Sequence, residues 1–361
     1  MSAIEFVTRL RDIPAYPAAE AYGYQGEKAL MASNESPYPP HPDVLEAVQA
    51  ALGGLNRYPD PAKSLLRRRL AERHELAPGR VTVGNGSCEI LLAAAQAMLE
   101  PGAELIYAWP SFSMYPHMAA MTGARAIAVP LDENGVHDLD AMAAEVTAAT
   151  RMLLVCNPNN PTATALPIEA IDAFVAALPR HVAVILDEAY IEFGLLQDPD
   201  ESLPLLEKHP NLIVLRTFSK IYGLCGLRVG YALGSEDFRL GVDRVWQPFS
   251  VNALAQVAAV EALRHGDEVA RRVERTAAER LHVQGELEER GLHGLQVTDS
   301  QANFSWVSLG DRDEADVVAG LGERGVIVRG GTGLGGAGHL RVTYGTRADN
   351  DRFLRGLDEV L

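Results

Sequence analysis

Five side chains in the middle of the chain have types and spacings that could act on a carbonyl compound. They are Asn157 in CNPNNPT, Asp187 and Tyr190 in LDEAY, Lys220 in TFSKIYG, and Arg228 in GLRVG. A lysine amine can condense with an aldehyde to form a Schiff base, and burial beside other cations lowers its pKa enough for it to act as a nucleophile and a base. A guanidinium fork suits a phosphate dianion. We therefore interpret Lys220 and Arg228 as ligands of a phosphorylated aldehyde.

The other three side chains fit an aromatic ring on that aldehyde. Asp187 could keep a ring nitrogen protonated, which lets the ring withdraw electrons. Asn157 and Tyr190 could donate hydrogen bonds to a ring phenolate oxygen. Pyridoxal 5′-phosphate combines all these groups, so we predict it as the cofactor. The predicted catalytic residues are Lys220, Asp187 and Tyr190.

Further donors for the phosphate flank Arg228 and lie upstream of it. Thr217 and Ser219 offer hydroxyl groups. The segment VTVGNGSCEILLAAAQAML is typical of a strand, a glycine-rich turn and a helix, so its turn would open a helix amino terminus onto an anion. The backbone donors there would belong to Gly86, Ser87 and Cys88. Taken alone, this turn is as typical of an ordinary loop as of an anion-binding turn. Together with Lys220 and Arg228, it favours the anion-binding interpretation.

An aromatic side chain is predicted to cover the cofactor ring. Phe112 in PSFSMY follows the strand-like ELIYAW, and an offset stack on the pyridine face would suit it. A purely structural role for Phe112 in the core is the alternative.

The elements around these motifs indicate how they come together. Each motif falls at or just after an apolar run of strand type (RMLLVC, HVAVIL, NLIVLR), so the side chains would gather along the carboxyl edge of one sheet. Helical and strand patterns alternate over residues 42–265, which predicts a large α/β domain with a mostly parallel sheet. Residues 266–361 are predicted to form a smaller α+β domain. Residues 1–41 are predicted to form an arm that packs on it.

The order of the motifs resembles that of the fold-type I pyridoxal phosphate aminotransferases, and within them the histidinol-phosphate aminotransferase group. The matching segments are SNESPYPP, NRYPD, VGNGS, PSFSMY, NPNNPT, LDEAYIEF, TFSKIYGLCGLRVGY, VIVRGG and LRVTYGT. The resemblance covers nearly the whole chain. Cys88, Phe112 and Cys225 depart from residues common in the family, and we interpret none of the three changes as disabling.

The resemblance also implies contacts that composition does not show. Tyr58 would reach across a homodimer interface to the other subunit's cofactor phosphate. Arg329 and Arg341 would face the substrate's anionic group, and a surface ion pair is the alternative for Arg329. Tyr16 and Asn34 are predicted to contact the substrate as well.

Composition limits the partners. The chain has 361 residues, 47% of them hydrophobic, and this length and composition are typical of a two-domain globular enzyme. Its net charge is −16. The acidic charge disfavours nucleic acid and anionic membranes, and no apolar run reaches the roughly 18 residues of a membrane span. The amino terminus lacks a signal-peptide core. We therefore predict neither nucleic acid nor membrane as a partner.

Cysteines and histidines give two further predictions. Cys88, Cys156 and Cys225 are odd in number and lack metal-like spacing, which indicates a reducing cytoplasm, and we interpret them as packing residues. The ten histidines form no paired pattern. We therefore predict no metal site.

The resemblance implies transfer of the amino group of L-histidinol phosphate to 2-oxoglutarate, in histidine biosynthesis. Two arginines suit a phosphate dianion. An aromatic amino acid aminotransferase is the first alternative, because those relatives share every motif quoted. A phosphothreonine-type decarboxylase that uses the same cofactor is a further alternative. A cofactor-sensing regulator is disfavoured, since the chain leaves no room for a DNA-binding module.

Overall fold

A seven-stranded mixed sheet organises the longer part of the chain. Its strands are β2 (Val81–Gly84), β3 (Glu104–Trp109), β4 (Arg125–Pro130), β5 (Thr150–Cys156), β6 (Ala183–Asp187), β7 (Leu212–Thr217) and β8 (Gly230–Leu233). Their spatial order is β2-β8-β7-β6-β5-β3-β4; β8 runs antiparallel to both of its neighbours, and the other pairs are parallel. The computed structural model describes residues 4–8, 26–289, 296–297 and 299–361. The predicted substrate contact of Tyr16 lies outside these residues.

Helices cover both faces of this sheet. They are α1 (Pro42–Ala51), α2 (Ser64–Arg73), α3 (Ser87–Met98), α4 (Met114–Thr122), α5 (Leu139–Ala144), α6 (Ile168–Ala177), α7 (Leu205–Lys208), α8 (Glu236–Val242) and α9 (Ala253–Ala262). Along β6, Val184 and Leu186 belong to one apolar cluster, whereas Ile185 belongs to the other. Burial on both faces explains why the strands are continuous apolar runs with no polar alternation.

A second, smaller sheet follows the long helix α10 (Gly266–Glu289). Its strands are β9 (Gln296–Val297), β10 (Phe304–Ser308), β12 (Arg329–Gly330) and β13 (His339–Thr343), in the antiparallel order β12-β13-β10-β9. Helices α11 (Glu314–Glu323) and α12 (Arg347–Val360) accompany it. A separate apolar cluster packs Phe353 and Leu357 of α12 against Val342 of β13.

The chain before α1 joins this smaller unit. Strand β1 (Ala29–Leu30) pairs in parallel with β11 (Val326–Ile327), and the Met31 N–H donates to the Ile327 carbonyl oxygen at 2.8 Å. Met31 is also buried in the smaller apolar cluster. The predicted arm of residues 1–41 and the domain boundaries after residues 41 and 265 remain our proposal.

The architecture confirms a mixed α/β fold with a mostly parallel central sheet. Among the described helices, none combines the length and the apolar character that a membrane crossing requires.

Candidate active site

A cavity of about 340 Å³ lies beyond the carboxyl ends of β5, β6 and β7. The predicted cofactor ligands that line it are Ser87, Cys88, Phe112, Asp187, Tyr190, Thr217, Ser219, Lys220 and Arg228. Parallel strands end at the same edge of a sheet, and that is why side chains from distant segments meet here. A larger groove of about 850 Å³ is lined by other residues, among them Trp109, Trp306 and His339.

Lys220 enters the cavity from the loop that follows β7. Its Nζ donates to the Ser33 carbonyl oxygen at 2.9 Å and lies 5.5 Å from the centroid of the Tyr190 ring. Desolvation, with a smaller contribution from the positive charge of Arg341, lowers the pKa of Lys220 to about 8. A substantial neutral fraction is therefore present near pH 8, as a nucleophile or base requires.

Asp187 forms part of the wall from the last position of β6. One carboxylate oxygen accepts a hydrogen bond from the Tyr115 hydroxyl at 3.0 Å, and the other accepts from the Ala189 N–H at 3.2 Å. Burial raises the pKa of Asp187 to about 6. These two donors are neutral, so a protonated ring nitrogen would supply the positive charge that a buried carboxylate favours.

Tyr115 is a site residue that the sequence predictions missed. It lies in the first turn of α4, three residues after Phe112, and is fully buried. A buried tyrosine usually finds a partner for its hydroxyl, and helical spacing from a predicted ring-stacking residue was the available signal. The Phe112 and Tyr115 rings meet edge to face, with centroids 5.7 Å apart.

The other end of the cavity is built to hold an anion. Gly86 precedes α3, and its positive φ of 77° suits glycine. A Cβ at Gly86 would collide with Nη2 of Arg228, so the guanidinium approaches the helix terminus closely only because this residue is glycine. Nη1 of Arg228 donates to Ser219 Oγ at 3.3 Å and to the Cys225 carbonyl oxygen at 2.9 Å. A helix amino terminus, a guanidinium and a hydroxyl together suit a phosphate.

Asn157 does not occupy its predicted place. Its amide donates to the Leu166 carbonyl oxygen at 3.1 Å and accepts from the Leu166 N–H at 2.7 Å, so it closes a loop. Asn160 lines the cavity instead, and its Oδ1 accepts from Nη1 of Arg341 at 2.7 Å. We therefore move the predicted ring contact from Asn157 to Asn160. The motif NPNNPT offers three asparagines, and its letters alone do not show which one faces the cavity.

Replacing these two asparagines should separate stability from catalysis. Asn160→Ala should lower kcat/KM by roughly 10-fold or more, because it removes a hydrogen bond to a charged group inside the cavity. Asn157→Ala should instead lower the free energy of unfolding by about 1–2 kcal/mol with kcat/KM changed less than about threefold. Urea unfolding and steady-state kinetics on both variants test this, and a larger kinetic loss for Asn157→Ala would restore the original assignment.

Arg341 brings a positive charge to the cavity from the smaller sheet. It is buried on β13, and its Nη2 donates to the Ala32 carbonyl oxygen at 2.5 Å. Arg329 lies directly opposite Arg341 in the β12–β13 pairing, so both side chains leave the same face of the sheet. Arg329 is half-buried, at the outer strand.

Asn34 supports Tyr190. Its Nδ2 donates to the Tyr190 hydroxyl at 3.0 Å, and its Oδ1 accepts from Thr343 Oγ1 at 3.0 Å. Both ends of the amide therefore bond to protein groups, and the predicted substrate contact stays a prediction. Asn34 orients the Tyr190 hydroxyl.

Two other predictions concern Tyr58 and the three cysteines. Tyr58 is 82% exposed and stacks on Phe249, with ring centroids 4.5 Å apart, so within a single chain it faces outward. Cys88, Cys156 and Cys225 are free thiols, and all three line the cavity. Burial raises the pKa of Cys88 above its usual range, which keeps that thiol protonated.

Comparison with known proteins identifies the family of this chain. Residues 27–357 match the family described as aminotransferase class I and II, and the chain therefore belongs to that family. An aromatic amino acid aminotransferase of Streptomyces avermitilis is 43% identical over 349 residues, which cover 96% of this chain and 94% of the relative. A histidinol-phosphate aminotransferase of Moorella thermoacetica is 41% identical over 352 residues, covering 97% and 90%.

A solved structure extends the similarity to three dimensions. The histidinol-phosphate aminotransferase of Sinorhizobium meliloti, in complex with pyridoxal 5′-phosphate, superposes with a TM-score of 0.89 at 27% identity. The match covers 99% of this chain and 98% of that one. The chain is a pyridoxal phosphate-dependent aminotransferase. The anion cradle at Gly86 and Arg228 and the buried carboxylate of Asp187 fit this cofactor.

Proposed function

We propose that this enzyme is an aromatic amino acid aminotransferase, which moves the amino group of an aromatic amino acid to a 2-oxo acid. The relative from Streptomyces avermitilis bears that name at 43% identity. This proposal replaces histidinol phosphate as the first choice of donor.

The contacts of Arg341 are the observation that carries the proposal. Its guanidinium is buried and donates to Asn160 Oδ1, which belongs to the cavity lining, and to the Ala32 carbonyl oxygen. A single fixed guanidinium binds a carboxylate as a fork. An amino acid carries that carboxylate, whereas histidinol phosphate has a phosphate and no carboxylate. The half-buried position of Arg329 fits this preference.

We assign the reaction to residues that the cavity brings together. When bound, the cofactor supplies an electron-withdrawing ring that acidifies the proton on the substrate α-carbon. Lys220 Nζ removes that proton, since its lowered pKa of about 8 leaves a neutral fraction. The Asp187 carboxylate would hold the proton on the ring nitrogen, and the Tyr190 hydroxyl would donate to the ring phenolate oxygen. Arg228, Ser219 and the amino terminus of α3 would bind the phosphate.

Histidinol phosphate is the second candidate donor. Arg329 and Arg341 share one face of the β12–β13 pair, so two guanidinium groups could bind one phosphate dianion. The relative from Moorella thermoacetica bears the corresponding name at 41% identity. With this donor the enzyme would act in histidine biosynthesis.

A homodimer forms part of the proposal. Apolar side chains are exposed around Tyr58, including Leu52, Leu55 and Leu65, and their exposure costs free energy unless a partner covers them. A second copy of the chain would cover this patch and place Tyr58 near the other subunit's phosphate. The three free thiols agree with a reducing cytoplasm.

Removing the two arginines one at a time should identify the donor. If the substrate is an aromatic amino acid, Arg341→Ala should lower kcat/KM by about 10- to 150-fold, whereas Arg329→Ala should change it by less than about threefold. If the donor is instead a phosphate bound by both arginines, Arg341→Ala and Arg329→Ala should each lower kcat/KM by about 10- to 150-fold. Phenylalanine, histidinol phosphate and phosphothreonine are compared as donors, with cofactor absorbance as the folding control.

Preference for the donor decides between the candidates. Wild-type kcat/KM higher for histidinol phosphate than for phenylalanine, combined with a selective loss in Arg329→Ala, would move the assignment to the second candidate. Release of carbon dioxide from phosphothreonine would indicate the decarboxylase.

A further inference from the structure

We propose that His41, Asp43 and His265 form a binding site for a divalent transition-metal ion of the zinc type. One ligand atom from each residue lies within 4.8 Å of the other two. His41 caps the amino terminus of α1, Asp43 lies in the first turn of that helix, and His265 lies between α9 and α10. The site is separate from the cavity at Lys220, whose wall is formed by other residues.

The spacing of the ligand atoms is close to what a zinc ion requires. His265 Nε2 lies 3.5 Å from Asp43 Oδ2, and His41 Nδ1 lies 3.9 Å from the same oxygen. In a tetrahedral site with bonds of about 2.0–2.1 Å, ligand atoms are about 3.3 Å apart. These two pairs lie roughly 0.2–0.6 Å beyond tetrahedral spacing, and the ligand nitrogens of the two histidines lie within 4.8 Å of each other before the rings turn.

A second carboxylate lies next to His265. Glu261 Oε1, one turn earlier on α9, lies 3.2 Å from His265 Nε2. Two imidazoles with one or two carboxylates form a ligand set that zinc accepts, and water can fill a remaining position. The carboxylates also lower the electrostatic cost of bringing a dication to the site.

The histidine rings must turn to bind. They stack with centroids 3.8 Å apart and an interplanar angle of 22°, so both cannot point a nitrogen at one ion as they stand. Their side chains are 24% and 17% exposed, and rotation about the ring torsion moves the nitrogens without moving the backbone. Ion binding would therefore replace the ring stack with two coordinate bonds.

The position of this site predicts that a bound ion would stabilise the fold. The segment before His41 reaches the cavity, where the Ser33 carbonyl oxygen accepts from Lys220. Arg272 of α10 already ties this segment to the lysine loop, because it donates to the carbonyl oxygens of Pro39 and Ile221. An ion bound by His41, Asp43 and His265 would replace the ring stack with a coordinated link between this segment and the start of α10. Binding should therefore raise the unfolding temperature.

Zinc titration of the holoenzyme tests the site. The protein is prepared without a polyhistidine tag, freed of metal with a chelator, and titrated with zinc chloride against a chromophoric zinc indicator. One equivalent should bind to the wild type, and His265→Gln should weaken that binding by at least about tenfold. His41→Asn should do the same while it keeps an acceptor for the helix cap. His181→Gln, which changes an exposed histidine elsewhere, should match the wild type.

Cobalt substitution provides a second, spectroscopic measurement. Co²⁺ in the wild type should give the visible absorption of a site with nitrogen and oxygen ligands, and that absorption should be absent in His265→Gln. Equal zinc affinity in the wild type and His265→Gln would overturn the proposal, as would zinc binding that depends on Cys88 or Cys225. Cofactor absorbance confirms folding in each variant, and Asp43→Asn provides a third test should His41→Asn fail to fold.

Discussion

Lys220→Ala should lose transamination by about 10³-fold or more while it still binds the cofactor. The substitution removes the amine that forms the covalent attachment and also the base that moves the substrate proton, and these two functions fail together. The cradle formed by Gly86, Ser219 and Arg228 is untouched, so phosphate binding should hold the cofactor in place. Single-turnover absorbance changes with saturating amino donor measure the loss.

A lysine outside the cavity provides the matched control. Lys208 is exposed and pairs with Asp172 at 2.8 Å, so Lys208→Ala should keep wild-type turnover. Borohydride reduction of the wild-type holoenzyme followed by peptide mapping should find the cofactor on Lys220. Label recovered at Lys208, Lys63 or Lys28 would overturn the assignment of the nucleophile.

Asp187→Asn should slow the chemical step by roughly 10²-fold or more. The amide keeps the shape of the carboxylate but not its charge, so it cannot hold a proton on the ring nitrogen. Tyr115→Phe, which removes one hydrogen bond to Asp187 and leaves the charge, should cost only about 10-fold. Pre-steady-state kinetics on the two variants measure both effects, and near-normal turnover of Asp187→Asn would show that another group fulfils this role.

Asp187→Asn, which should slow the reaction, should by contrast stabilise the cofactor-free protein at pH 8. Burial raises the pKa of Asp187 from 3.8 to about 6, so the folded protein binds this proton more tightly than the unfolded chain does. The resulting stabilisation is complete below about pH 4 and is lost as the pH rises through 6. At pH 8 the buried charge costs up to about 3 kcal/mol, so the uncharged Asp187→Asn variant should unfold at a higher urea concentration than the wild type. Equal urea midpoints for the two proteins at pH 8 would contradict this expectation.

Much of this site could be predicted from single residues and their immediate surroundings. Asp187 ends β6 and Lys220 follows β7, and parallel strands bring such positions to one edge of a sheet. Arg228 precedes β8, which is antiparallel to β7 and therefore starts at the same edge. Gly86 was identifiable because a turn before a helix tolerates a positive φ at glycine. These are local rules, so the sequence contains what they need.

Choices among similar residues needed the tertiary structure. Whether Asn157 or Asn160 faces the cavity depends on how the loop after β5 closes on Leu166. The contact between the Tyr115 hydroxyl and Asp187 joins residues that are far apart in sequence, so only the tertiary structure shows it. No local pattern specifies such contacts, because they depend on how separate helices and strands pack.

The proposed metal site shows most clearly which features local sequence patterns predict and which need the tertiary structure. The histidine spacing predicted no metal ligands, since His41 and His265 are separated by nearly the whole α/β part of the chain. Packing of α1 against α9 brings the start of one helix beside the end of the other. By itself the sequence determined the strands and the cofactor, and it predicted most of the side chains that line the cavity, because each depends on short-range patterns. Only the tertiary structure decided which distant side chains meet, since that depends on the packing of the whole sheet and its helices.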